Sequence, residues 1–463
     1  MTDILLWLEN FISGILPFVF LIFCGIYLTF KSRFFQFRYL PAAISQALGG
    51  IFSRKKKAGG VSPFQSACTA LSATVGTGNI AGVAGAISLG GAGAVFWMWV
   101  SALLGMCVKV AEIILSLKYR ERADGEYRGG PMYYIKNGLS AAFAPLAFLF
   151  AVVGIFAVIC SGNLTQTNAA VTSVAENYYI RFAVGAAFAV LTAFVLIGGS
   201  KRIGMFTEKI VPFMAAVYII LSLGILLVNI DFLKEAFIMI IKGAFNPSAV
   251  TGGLVGSLPA VVMAGASRGV FSNEAGLGTS AMAHAAAENE EGVRQSLYGV
   301  FEVFADTVVI CTLTALVVLC SGTEISYGRT ASTELVQSAF STLYGSWSSG
   351  LIGVMMILFG ISSVIGWGYY GSVCSGFVFG KTGRRFFTAF YPLVCIAGAL
   401  CRVDTAWRLS AFFNGIMLCI NVTAVMLLSG EAAEDMNNFR IKTRKKGKCN
   451  DKRTDFTPAV GTE

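Results

Sequence analysis

The sequence predicts an all-α integral membrane protein of eleven transmembrane helices. Two five-helix repeats of inverted topology, each with one discontinuous helix, follow one extra N-terminal helix. Three observations carry this expectation. Of 463 residues, 56% are hydrophobic and only 13% are charged, about half the charge of a soluble domain. Eleven apolar runs approach the length of about 20 residues that a bilayer crossing requires. Lys and Arg are distributed unequally between alternate loops.

The runs lie near 11–30, 64–88, 93–117, 141–175, 182–199, 208–230, 250–281, 297–320, 348–379, 384–401 and 407–429. The start M-T-D-I-L-L-W has neither a basic stretch nor a cleavage site, so the first run is expected to stay as a helix. The runs at 141–175 and 348–379 are long, which implies tilt or extension beyond the lipid. With the N-terminus placed outside, 27 of the 35 basic residues fall in inside loops and 6 in outside loops. The remaining two, Lys109 and Arg268, lie within runs. The chain is therefore read as N-terminus out and C-terminus cytoplasmic. Its units are a helix at 1–32, repeats at 33–231 and 232–430, and a basic, disordered tail at 431–463.

The net charge of +10 follows from this sorting, and a nucleic-acid surface is not expected because the basic residues are spread over separate loops. The tail R-I-K-T-R-K-K-G-K reads as a solvated retention signal, with anionic lipid as its other partner. Enzyme chemistry lacks a basis. There is one histidine, His284, no C-x-x-C pair among eleven cysteines, and no nucleophile motif.

Two runs are interrupted. The second contains S-A-T-V-G-T-G-N-I-A-G-V-A-G at 72–85, and the seventh contains M-A-G-A-S-R-G-V-F-S-N-E-A-G-L-G at 263–278. Gly78-x-x-x-Gly82 alone would suit close helix packing. Packing does not call for Thr77, Asn79, Arg268, Ser272, Asn273 and Glu274 at the same depth, where unpaired polar groups are costly. Without the first run, the interruptions fall in the first and sixth of ten helices, matching places in two halves. Unwound backbone there offers amides to a carboxylate and carbonyls to a cation.

These motifs, with R-G-G-P-M-Y-Y-I at 128–135 and I-G-W-G-Y-Y-G at 365–371, resemble the alanine/glycine:cation symporter family over residues 10–430. The resemblance implies a LeuT-like architecture. It implies symport of small neutral amino acids, alanine or glycine, into the cell with Na⁺, or with H⁺ as the alternative ion. Serine or glutamine is the alternative substrate. It places the chain in a prokaryotic inner membrane, with no organic cofactor and no obligate protein partner.

Carried over by motif, Thr77, Gly78 and Asn79 would take the substrate carboxylate, Phe271, Ser272 and Asn273 would line the pocket, and Gln166 and Trp367 would close it. Carbonyls of Ser72 and Val75 and hydroxyls of Ser362 and Ser363 would form one sodium site, with Thr74 and Asn79 at a second. The chain departs from the family pattern at Ala92, at Ser363 in place of threonine, and at Ser372 in place of a glutamate associated with cytoplasmic gating.

Other polar residues within the runs have simpler expectations. Lys109 and Glu112 can pair on one helix face. Arg268 and Glu274 are expected as a gate or scaffold ion pair. Glu302 and Asp306 are candidates for an ion-linked carboxylate, with packing through Thr307 an equal explanation for Asp306. His284 is expected at the surface or as a helix cap.

Overall fold

The computed structural model describes residues 11–52, 60–247, 251, 257–288, 291–328 and 332–440. A π-helical turn, Phe11–Ile15, leads into α1 (Leu16–Lys31), and α2 (Phe35–Phe52) follows at 86° to it. Arg33 and Phe34, both at positive φ, make the corner. α2 buries Ala43 and Ala47 and exposes Phe37, Leu48 and Ile51, as suits a helix lying in a membrane interface. The sequence reading ends the first apolar run near residue 30 and has only a basic inside loop here.

α3 (Pro63–Thr74) begins at a capping box, in which Ser62 and Gln65 exchange side-chain and backbone hydrogen bonds. A 3₁₀ turn at Thr77–Asn79 separates it from α4 (Ala81–Gly90), and the two halves are bent by 53°. α5 (Gly93–Lys118) is the most enclosed long helix, with 78% of its apolar window buried. A hairpin of β1 (Glu121–Ala123) and β2 (Glu126–Arg128) pairs Arg122 with Tyr127 and precedes α6 (Pro131–Gly138). α7 (Ala144–Ala157) and α8 (Gln166–Thr172) form one crossing through a π-helical stretch, Val158–Thr165.

α9 (Tyr178–Leu196) and α10 (Gly199–Val228) are peripheral, with only 33% of each window buried. Val190, Phe194, Ile220 and Leu227 on them are 64–71% exposed, a surface that water would not tolerate and lipid does. α11 (Leu233–Phe245) is followed by the second divided helix, α12 (Leu258–Asn273) and α13 (Thr279–Ala285). α14 (Gly292–Val303) and α15 (Thr312–Cys320) are joined by π-helical Phe304–Cys311. After α16 (Thr333–Tyr344) come α17 (Trp347–Phe390), α18 (Val394–Leu400), α19 (Val403–Leu427) and α20 (Ser429–Asn438).

By length and composition, seven of the described helices can cross a membrane, or up to nine if each bent pair is one span. Two features separate this from the eleven apolar runs. The runs at 348–379 and 384–401 join into one helical stretch, Trp347–Leu400, with a sharp turn only at Gly380, whose φ of 66° admits the turn without a Cβ penalty. The run at 250–281 is divided into α12 and α13, each too short alone. In the expected tail, residues 431–438 belong to α20, and 441–463 lie outside the described residues.

Loop contacts gather into two ends. At one, Lys118 meets Glu431 at 2.6 Å, Arg384 meets Glu126 at 2.8 Å, and Tyr39 donates to the Phe439 carbonyl at 2.8 Å. At the other, Arg181 donates to the Ala399 carbonyl at 2.8 Å, Tyr344 to Leu221 at 2.9 Å, and the Gly328 amide to Ser88 at 2.9 Å. The first end is called the basic face below. Half-helices α3 and α13 reach it, because the Glu288 amide bonds the Val61 carbonyl there at 3.1 Å.

Candidate functional site

The first break is built by side chains that capture backbone amides. Continuing α3 would bond the Gly76 amide to the Ser72 carbonyl and the Thr77 amide to that of Ala73. Instead Gly76 N donates to Asn79 Oδ1 at 2.8 Å, and Thr77 N donates to Gln166 Oε1 at 3.0 Å. Thr77 Oγ1 donates to the same Gln166 oxygen at 2.8 Å. The released Ser72 carbonyl accepts from Ser363 Oγ at 2.9 Å. A Cβ on Gly76 would stand 2.3 Å from Ser363 Oγ, so only glycine lets α17 approach this closely.

The second break uses backbone conformation. Glu274, Gly276 and Gly278 all have positive φ (54°, 87° and 72°) within five residues. The glutamate is the unusual member, since a non-glycine there carries strain of the kind concentrated at functional sites. Its carboxylate accepts from Thr279 Oγ1 at 2.5 Å, and Asn273 Oδ1 accepts the Ala275 amide at 3.0 Å. Asn421 of α19 donates to the Gly276 carbonyl at 2.8 Å and to Glu112 at 2.6 Å, and it accepts from Tyr134.

Asp306 joins the two breaks. Its Oδ1 accepts from Asn79 Nδ2 at 2.6 Å; its Oδ2 accepts from Ser272 Oγ at 2.8 Å and Thr307 Oγ1 at 2.7 Å. Thr307 also accepts from Asn273 Nδ2 at 3.2 Å, and Thr314 donates to the Asn79 carbonyl at 2.8 Å. All of these residues are buried. Asp306 lies in the π-helical stretch Phe304–Cys311, and Gln166 directly follows the one at Val158–Thr165. Such bulges redirect side chains and recur at functional sites.

The expected site residues are distributed around this junction. Thr77, Gly78, Asn79 and Gln166 share the first break, and the Phe271 ring covers Gly78, where a Cβ would be 3.1 Å from it. Ser272 and Asn273 reach the same point through Asp306 and Thr307. Ser72 and Ser363 are in direct contact, whereas Ser362 Oγ donates to the Phe359 carbonyl at 2.9 Å. Thr74 Oγ1 turns to the Leu71 carbonyl at 3.3 Å, and Val75 caps the end of α3. Trp367 packs on Gly162 and edge-on against Tyr370 at 5.9 Å, and its buried indole N–H has no partner among the described residues. A cavity of about 740 Å³ between α1, α12 and α19 includes Arg268, Phe271 and Trp407 in its wall, so Phe271 partitions it from Gly78.

Several charged residues differ from expectation. Lys109 pairs with Glu302 at 3.3 Å and donates to Ser280 at 2.8 Å; Glu112 turns to Asn421, so the two do not pair with each other. Arg268 lies over the Trp407 ring at 3.9 Å, and among the described residues no ion pair joins it to Glu274. His284 is fully buried against Glu302, because α13 turns inward after the break. Ser372 donates to the Tyr369 carbonyl at 2.7 Å. The hairpin supplies ion pairs of the basic face through Glu126 with Arg384 and Asp124 with Arg128. Burial would raise the Glu126 carboxyl, but the Ser200 hydroxyl and the Arg384 guanidinium leave it below its ordinary value.

Two buried breaks inside apolar helices, one releasing carbonyls and both meeting at a carboxylate, define a membrane transporter for a small polar solute and an ion. The sodium:alanine symporter family model matches residues 1–454, and the chain belongs to that family. It is therefore a sodium-coupled amino-acid symporter of the membrane, and not an enzyme. It is 40% identical over 440 residues to the sodium/alanine symporter AgcS of Methanococcus maripaludis, covering 93% of this chain and 95% of that protein. It is 34% identical to the probable sodium/glutamine symporter GlnT of Bacillus subtilis (96% and 90% covered). It is 33% identical to the putative sodium/proton-dependent alanine carrier YrbD of the same organism (91% and 89%).

Among solved structures, MhsT in complex with L-phenylalanine superposes with a TM-score of 0.55 at 13% identity, covering 84% of this chain and 94% of that one. This likeness establishes the LeuT-like fold.

Proposed function

We propose that the chain imports a small neutral amino acid, alanine or glycine, with Na⁺ by alternating access. It acts in a prokaryotic inner membrane, with eleven spans, the N-terminus outside and the C-terminus in the cytoplasm. Residues 33–231 and 232–430 form the inverted repeats. The observation that carries this reading is the release of the Ser72 carbonyl to Ser363 by amide capture at Gly76 and Thr77.

The ion is held by hard oxygens: the Ser72 and Val75 carbonyls with the Ser362 and Ser363 hydroxyls. Thr74 and Asn79 serve a second cation, with Asp306 supplying the negative charge that a buried cation needs. The amino acid places its carboxylate on Thr77, Gly78 and Asn79, at the positive end of α4, and its ammonium toward the negative end of α12. Phe271, Ser272 and Asn273 line the pocket, while Gln166 and Trp367 close it and limit side-chain size.

Sodium-driven uptake of labelled alanine into proteoliposomes tests the reading. Equal uptake with choline in place of sodium removes the sodium coupling. Competition by glycine, serine and glutamine identifies the substrate. A glutamine preference is the second reading, favoured by the 34% identity to a protein named as a glutamine symporter.

A further inference from the structure

On the basic face, a buried network stands apart from the substrate junction. Glu302 on α14 uses both oxygens, Oε1 at 3.3 Å from Lys109 Nζ and Oε2 at 3.2 Å from His284 Nε2. His284 Nδ1 lies 2.9 Å from Gln295 Nε2, and that same nitrogen donates to the Pro63 carbonyl at 3.1 Å. Lys109, His284, Gln295 and Glu302 are at most 1% exposed.

The tautomer follows from the acceptors. The Pro63 carbonyl can only accept, so Gln295 must present its NH₂ group to it. The second hydrogen of that group then points at His284 Nδ1, which must be a lone pair. The imidazole is therefore assigned as neutral, with its proton on Nε2 donated to Glu302. In this state the charges of Lys109 and Glu302 balance. Among the described residues Gln295 Oε1 is buried without a partner, so the arrangement already bears the cost of one unsatisfied polar atom.

We propose that His284, Gln295 and the Pro63 carbonyl form a proton-operated latch between the half-helices α13 and α3. A proton from solvent on the basic face bonds to the Nδ1 lone pair, and His284 becomes a donor on both nitrogens. Gln295 must then turn Oε1 toward Nδ1. The same turn replaces the donor facing Pro63 with an oxygen, so a hydrogen bond becomes an oxygen–oxygen repulsion. α3 then loses its Pro63 tie and keeps only the bond from the Glu288 amide to the Val61 carbonyl at 3.1 Å, while α13 stays anchored through Lys109, Glu302 and Ser280.

The elements packed around the cluster supply further titratable and charged groups. α5 contributes Lys109 and Glu112, and Arg120 after it holds the Ala285 and Ala287 carbonyls at 3.0 and 2.6 Å. Glu274, Asp306 and Tyr370 act on the same cluster from the second break, the π-helical stretch after α14, and α17, and β2 and α6 bring Arg128, Tyr133 and Tyr134 to the packing around α13. α3 presents only the Cys68 thiol.

The latch deepens the transport reading by naming what controls opening on the basic face, but hydrogen exchange tests it without transport. The full chain is purified in sodium-containing detergent, and exchange of residues 63–70 is read at pH 5.5 and 7.5, corrected for intrinsic rates. The expected result is about fivefold faster corrected exchange at pH 5.5, the size of one hydrogen bond, with no pH difference in His284→Gln. Equal corrected exchange at both pH values in the wild-type chain, or an unchanged pH difference in His284→Gln, overturns the latch. If His284→Gln does not fold, Gln295→Leu replaces it, with fast exchange at both pH values expected and a retained pH difference overturning the proposal. Failed uptake with an intact exchange switch counts against transport and leaves the latch standing.

Discussion

Between Thr74 and Ala81 the chain turns by giving backbone amides to the neutral side chains of Asn79 and Gln166. Between Asn273 and Thr279 it turns through three positive-φ residues and is tied by the carboxylate of Glu274 and the carboxamide of Asn421. The first method leaves carbonyls of an intact half-helix pointing at a neighbour, which suits an ion. The second stores strain in the turn itself and fastens the following half-helix, which suits a hinge. Asp306 touches both, so occupancy at one break is felt at the other through a single carboxylate.

The largest effect is expected at Asn79, which makes the first turn and also meets Asp306. Asn79→Ala should lower initial alanine uptake at least a hundredfold, because it leaves the Gly76 amide and a buried carboxylate short of partners. Uptake within threefold of wild type would mean that amide capture does not create the site.

Gly278→Ala probes the other break. Its Cβ would fall 2.2 Å from Pro131 Cγ at a φ of 72°, so a loss of about 3 kcal/mol in stability is expected in denaturant unfolding. Gly76→Ala, which meets the movable Ser363 hydroxyl, should change sodium affinity more than stability. Matching unfolding curves for the two variants would erase the contrast between the breaks.

Ser363→Ala sharpens the ion assignment. Its sodium half-saturation should rise about tenfold, the loss expected for one oxygen ligand bonded to a charge, while the unfolding midpoint stays within about 2 °C. No change in sodium dependence would move the ion away from the Ser72–Ser363 contact.

The smallest effect is expected far from both breaks, at Glu431. The Lys118 ammonium, with the Tyr119 hydroxyl, holds this carboxyl below its ordinary value. Its contribution is therefore present above the unfolded pKa of about 4.3 and lost as pH falls through the folded value. The pair is about two-fifths exposed, so after solvent screening Glu431→Gln should cost under about 0.5 kcal/mol at pH 7 and nothing near pH 3, read from melting curves.

Much of the site was legible because polar residues in apolar runs announce themselves. Thr77, Asn79, Ser272 and Asn273 stand out wherever the apolar period fails, and their positions correspond to the two breaks. Asp306 was visible as a buried acid, but its role as the junction depends on which helices meet at that depth. Asn421 carried the same signal, a carboxamide in an apolar run, without a neighbouring glycine to mark it, whereas Gln295 precedes the run at 297–320 and carried no such signal. The pairing of Lys109 with Glu302 instead of Glu112 was not legible. The helical spacing of 109 and 112 is local, while the bond to 302 is made across packed helices.

The sequence by itself determined that the chain lives in lipid, where its helices are interrupted, and the family to which it belongs. Each of these follows from local composition and short motifs, which act over a few turns of backbone. Only the tertiary structure decided that α2 lies across the end of α1, that Val158–Thr165 and Phe304–Cys311 are π-helical, and that His284 is buried. Those outcomes depend on which side chain occupies the space opposite, and partners hundreds of residues apart compete for the same buried hydrogen bonds. Satisfying every buried polar group at once is a condition on the whole packing, and no segment can meet it alone.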